Sequence, residues 1–133
     1  MIDLVLLIDD NDTDNFISRR VIELTKFAPR VVVKSSGQQA LDYMQEHAQS
    51  PSELPDLIFL DINMPIMDGF MFLYEFETLP ADIQHKTRVI ILSIPEDRRD
   101  VDKIITNKAV IKYITKPLTQ DDLEAVRQDL QSQ

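Results

Sequence analysis

Cysteine is absent from the 133 residues. That excludes disulfides and thiol chemistry, and it leaves only oxygen ligands and two histidines for any metal, so a hard, oxygen-seeking cation is favoured. Long hydrophobic runs are missing too. The longest apolar stretches fall far short of the roughly 20 residues a spanning helix needs, and Met1-Ile2-Asp3 lacks the basic start of a signal peptide. No clustered basic surface is visible in a chain of net charge -9, which argues against a nucleic-acid partner and against attraction to anionic membranes. Repeats and low-complexity tracts are not found. Together these absences lead to the expectation of a cytoplasmic protein that partners neither nucleic acid nor membrane.

What is present is ordinary globular material, 44% hydrophobic and 28% charged. The length suits a single domain over residues 1–133, able to bury roughly two-thirds of the surface its unfolded form exposes. Four apolar runs each stop at a polar residue. Leu4 to Ile8 runs into Asp9-Asp10, Leu57 to Leu60 into Asp61, Val89 to Leu92 into Ser93, and Val110 to Thr115 into Lys116. With Arg30 to Lys34 as a further strand, these runs alternate with segments of helical period, the pattern of an α/β fold built from five βα units around a parallel sheet. In such a sheet all four polar endpoints meet on one edge.

The helices follow from caps and periodicity. The first is expected to start near Asp12 or Thr13 as N-cap, with Ile17, Val21 and Leu24 lining one face at helical spacing. Ser36 caps a second, carrying Ala40, Leu41 and Met44, and Ser50 to Pro55 reads as a loop. A third runs from Gly69 to about Leu79, closed by Pro80, and a fourth from Glu96 to Thr106, ended by Asn107. Thr119 and Asp122 signal the start of the last, with Leu123, Val126 and Leu130 on its apolar face.

Two adjacent aspartates at a strand end repel each other unless a cation offsets them. Mg²⁺ is typically held by one or two carboxylates, a phosphate oxygen and water, and Asp9, Asp10 and Asp61 match that demand. Alone, an Asp-Asp pair is more often a turn or cap; the third carboxylate shifts the balance. The string Asp10-Asn11-Asp12-Thr13-Asp14 imitates a calcium loop, but Asn15 and Val21 occupy the positions needing Gly and Glu, so that reading fails. Asp61, attached to a rigid strand, suits a nucleophile that attacks a phosphoryl donor, with the cation, Lys116 and Ser93 neutralising charge on the equatorial oxygens. Lys116 before Pro117 is restricted to extended geometry and presents a point charge.

With these residues in this order, and with Asp61-Ile62-Asn63-Met64-Pro65-Ile66-Met67-Asp68-Gly69 following a phosphoacceptor segment, the chain resembles the CheY-like receiver domains of two-component response regulators over nearly its whole length. The resemblance implies a doubly wound, flavodoxin-like three-layer sandwich with sheet order 2-1-3-4-5 and a crevice where strands 1 and 3 adjoin. It implies that Asp61 accepts a phosphoryl group from a phosphohistidine of a sensor histidine kinase or histidine phosphotransfer protein. It also implies that Asp9, Asp10, Asp61 and the backbone carbonyl of Asn63 hold Mg²⁺, with Mn²⁺ as the alternative ion. Ser93 and Lys116 then move toward the new phosphoryl oxygens and Tyr113 turns inward. A changed surface on the fourth helix, fifth strand and last helix controls a downstream protein target that the sequence leaves unnamed.

The resemblance further implies a phosphoacceptor rather than a turnover enzyme. With Met1 at the start and no output domain after the last helix, the expectation is a stand-alone receiver, a monomer that phosphorylation can dimerise. Ile94 and Pro95 depart from the family pattern, Ile94 being bulky where a small residue is usual. Access to Asp61 and the rate of dephosphorylation are the properties they bear on. They also motivate the alternative of a non-switching interaction module with a receiver fold. A haloacid-dehalogenase-type phosphohydrolase is disfavoured because Asp61-Ile62-Asn63 lacks that family's second acid.

Overall fold

The structure, a computed structural model, describes residues 2–94 and 107–132. Its elements are β1 (Leu4–Ile8), α1 (Asp12–Leu24), β2 (Arg30–Lys34), α2 (Gly37–Glu46), a 3₁₀ turn (Pro51–Glu53), β3 (Leu57–Leu60), α3 (Gly69–Phe76), α4 (Ala81–Lys86), β4 (Arg88–Ser93), β5 (Val110–Thr115) and α5 (Gln120–Gln131). The helix expected over Glu96 to Thr106, and Pro95 before it, lie outside the described residues.

All five strands are parallel, in the order β2-β1-β3-β4-β5. The order follows from burial. β1 and β3 are apolar at every position and buried throughout, and β4 is buried from its second residue on, as strands covered on both faces must be. β2 at one edge is half-buried along its length, and β5 at the other is half-buried until Ile114. Alternate residues then serve two cores. Leu6, Ile8, Ile58, Leu60, Val89 and Ile91 pack with Met44, Phe72 and Phe76 of α2 and α3. Val5, Leu7, Leu57, Phe59, Ile90 and Leu92 pack with Ile22, Leu123 and Val126 of α1 and α5. The result is the doubly wound, three-layer arrangement that the family resemblance implies.

Local signals behave as their chemistry requires. Ser36 accepts the Gln39 N–H at the start of α2, and Thr119 with Asp122 forms a reciprocal capping box on α5. Two expectations need correction. The cap of α1 is Asn11, whose side chain accepts the Asp14 N–H. The buried face of α1 carries Asn15, Ser18 and Ile22; of the three apolar residues, Val21 packs against the core, while Ile17 and Leu24 are exposed, Leu24 with 68% of its surface. The reason is polar: Asn15 Nδ2 donates to the Asp9 carbonyl at 2.8 Å, so α1 presents hydrogen-bonding residues to the strand ends. Finally, α3 stops at Phe76 and passes through a turn closed by the Thr78 and Leu79 N–H groups onto Glu75 and Phe76, and α4 begins after Pro80. α4 was invisible in the sequence because six residues with one buried apolar side chain, Ile83, show no period.

Candidate functional site

Strand register builds the site. Ile8 pairs with Leu60, so the next residues, Asp9 and Asp61, stand side by side, and the Asp61 N–H donates to the Ile8 carbonyl at 2.9 Å. On the far side Ser93 pairs with Thr115, and the Lys116 N–H donates to the Ser93 carbonyl at 2.8 Å. The peptide bond from Lys116 to Pro117 is cis. The four strand ends therefore converge, with Asp9, Asp61 and Ser93 buried and Asp10 exposed.

The Lys116 ammonium binds these ends together. Its Nζ lies 2.7 Å from Asp9 Oδ2, 2.8 Å from Asp14 Oδ2 and 3.4 Å from Asp61 Oδ1. Burial pushes the Asp61 carboxyl up to about 7, and the charge of Asp9 pushes the same way against the attraction of Lys116. Asp9 is also raised, first by burial, although Lys116 and the Asn11 N–H at 2.9 Å both favour its charged form. Burial alone pulls the ammonium down, but hydrogen bonds to Asp14 and Asp9 outweigh it and raise Lys116. At neutral pH a fixed cation thus sits among acids that are hard to ionise together.

Carboxylate oxygens of Asp9, Asp10 and Asp61 lie within 4.8 Å of one another. An all-oxygen set of this charge suits Mg²⁺ or Mn²⁺, whose ligands stand about 2.1 Å from the ion, after small side-chain adjustments. Ser93 supplies the complementary observation. Its hydroxyl is 0% exposed and has no hydrogen-bond partner among the described residues. A buried hydroxyl left this way costs roughly 1–3 kcal/mol, so it is suited to an acceptor that arrives later.

The loop after Asp61 is folded tightly. The Gly69 N–H returns to the Ile62 carbonyl at 2.8 Å, and a Cβ on Gly69 would lie 2.9 Å from Ile62 Cα, which explains the glycine. Asp68 caps α3 by accepting the Met71 N–H. Asn63 is exposed on this loop, two residues past Asp61. Tyr113 on β5 pairs with Ile91, is half-buried against the α2–α3 core, and has its hydroxyl 3.5 Å from Thr115 Oγ1. Ile94 is 43% exposed and, with Asp14, Ile17, Lys116 and Pro117, lines a cleft of about 170 Å³ beside the site. Asp14 and Asn15 are the members that sequence reasoning missed. Asp14 lies 102 residues from Lys116, and an acid in the first turn of a helix ordinarily reads as dipole compensation.

The family model of the response regulator receiver domain matches residues 5–128. The chain is 26% identical over 127 residues to the probable methanogenesis regulatory protein FilR2 of Methanothrix harundinacea, covering 96% of this chain and 80% of that one. It is similar to response regulator Rcp1 of Synechocystis, 26% identical over 131 residues, covering 97% and 86%. Among solved structures, a two-component response regulator from Cytophaga hutchinsonii aligns with a TM-score of 0.89 at 31% identity, covering 99% and 98%. The Mn²⁺-bound form of Rcp1 aligns at 0.71 with 27% identity, covering 98% and 92%. No helix among the described residues is long and apolar enough to cross a membrane. Receiver domains are signalling domains rather than turnover enzymes; they bind a divalent metal in an acidic pocket and take phosphoryl groups from histidine kinases or phosphotransfer proteins. With its five strands, its acidic cluster and this match, the chain belongs to the response regulator receiver domains.

Proposed function

We propose that Asp61 is the phosphoacceptor of this receiver and that its modification switches the surface around β5 and α5. The observation that carries the reading is a convergence: a buried carboxylate, an ammonium 3.4 Å away, and a buried serine hydroxyl with no partner among the described residues. The ionised Asp61 oxygen bonds to phosphorus as the P–N bond to a donor imidazole breaks, the electron pair staying on that nitrogen. Lys116 needs only a short movement to reach a phosphoryl oxygen, and the Ser93 hydroxyl gains its missing acceptor. Asp9, Asp10, Asp61 and the Asn63 carbonyl would hold Mg²⁺ or Mn²⁺, which when bound neutralises the carboxylates and the phosphoryl oxygens. Tyr113, on the strand that ends at Lys116, carries the change outward by turning inward.

The outer face of α1 supports a docking site for the donor protein. Phe16 at 69% exposure, Ile17 and Leu24 leave an apolar surface beside the cleft that ends at Lys116 and Pro117. A histidine kinase or phosphotransfer domain seated there brings its phosphohistidine toward Asp61.

Incubation with acetyl phosphate and Mg²⁺, followed by intact-mass measurement, tests the reading. The expected result is a gain of one phosphoryl group on the wild type and none on Asp61→Asn. An unmodified wild type, or equal gain on the variant, overturns it.

A further inference from the structure

We infer that Asp14, in the first turn of α1, is a positioning residue for Lys116: the anchor the ammonium keeps while its other partners change, and so a determinant of how strongly Lys116 competes with a divalent cation for Asp9. The inference rests on the phosphoacceptor reading above and concerns a carboxylate outside the acidic cluster.

An ammonium has three N–H donors, and Lys116 has three carboxylates around it. Two of them, Asp9 at 2.7 Å and Asp61 at 3.4 Å, belong to the cluster that suits a divalent cation. Asp14 at 2.8 Å is the third and has no share in that cluster. A cation that recruits Asp9 removes the ammonium's shortest contact, and a phosphoryl group on Asp61 replaces another. Asp14 alone is untouched by either event.

Its position is also fixed. The Asp14 N–H is held by the Asn11 cap at 2.9 Å, and Asn15 ties the same turn to the Asp9 carbonyl. The contact is not an ordinary surface pair of little consequence, because the Lys116 side chain is only 11% exposed. Without Asp14, the buried ammonium has only Asp9 and Asp61 for compensation, so it holds Asp9 harder against an incoming cation.

The sign is therefore definite: removing the Asp14 charge weakens divalent binding through Lys116. Loss of a nearby negative charge also weakens it directly through space, and a double-mutant cycle separates the two. Mg²⁺ is titrated into wild type, Asp14→Asn, Lys116→Met and the double variant, with affinity read from backbone amide NMR shifts. The same spectra report whether each variant is folded, and Asp14→Ala repeats the test without a side-chain amide.

Lys116→Met is expected to tighten Mg²⁺ binding. Asp14→Asn is expected to weaken it by a factor about fivefold larger with Lys116 present than with Met in its place. Equal weakening in both backgrounds assigns Asp14 a through-space role and overturns the inference, as does unchanged or tighter binding in Asp14→Asn. A wild type that binds no Mg²⁺ overturns the parent reading instead, and this one with it.

Discussion

The two ends of β3 hold the same residue type in opposite circumstances. Asp56, just before the strand, accepts the N–H groups of Asp3 at 2.8 Å and Leu4 at 3.1 Å and lies 3.8 Å from Lys86 Nζ. Around it Arg30 is paired with Asp3 and Glu53, and the Thr87 hydroxyl donates to the Pro55 carbonyl at 2.7 Å. A cavity of about 660 Å³ at this end is lined by Lys26, Lys86, Arg88 and Arg127. Of these cations Lys86 sits in the last turn of α4, where positive charge complements the helix C-terminus. Asp61, just after the same strand, shares one ammonium with two other carboxylates, has its pKa raised to about 7, and neighbours a serine hydroxyl with no partner among the described residues. One edge is satisfied and the other is left in conflict. On the proposed function, this edge keeps interactions incomplete until a cation and a phosphoryl group arrive, so the chemistry sits where the fold is least comfortable.

Substitutions break this contrast in order of size. Asp56→Ala removes the acceptor of two backbone N–H groups at the satisfied edge, and urea unfolding should show a loss of about 2–3 kcal/mol. Gly69→Ala comes next. Its new Cβ meets the backbone of Ile62 rather than a side chain that can move, so the loop after Asp61 must shift, at about 1–2 kcal/mol in the same measurement. If Gly69→Ala costs nothing, the loop is looser than the Gly69–Ile62 hydrogen bond implies.

Much of the contrast was legible in the sequence, for a physical reason. Strand ends are set by where an apolar run stops, and a parallel sheet brings those ends to one edge whatever the loops do. That is why Asp9, Asp61, Ser93 and Lys116 were found together. The capping residues Ser36, Thr119 and Asp122 act within three residues of themselves and were equally plain. Which face of the first helix turns inward is not legible from its apolar residues alone, of which Val21 packs on the core. Asn15 and Ser18 take that face because they pack onto the site, and Ile17 and Leu24 are left outside. Asp14 was missed because its contact with Lys116 depends on how α1 rides over the strand ends, a tertiary matter that no local pattern reports. Asp56 was missed for the same reason, since its partners Asp3 and Leu4 lie more than fifty residues away.

The conflict at the Asp61 edge can be measured directly as stability against pH. The carboxyl titrates near 7 in the fold against an ordinary 3.8, so between those values the native state holds the extra proton. Stability then falls as pH rises from about 4 to about 7, and the deficit is fully present above that range. Asn cannot ionise, so without divalent cations Asp61→Asn should be more stable than wild type by about 1–3 kcal/mol at pH 8, with the difference vanishing near pH 4. Added Mg²⁺ should narrow the gap by stabilising the wild type. An Asp61→Asn variant no more stable than wild type at pH 8, or a difference that does not change with pH, would contradict the claim that this edge of the sheet is held in charge conflict.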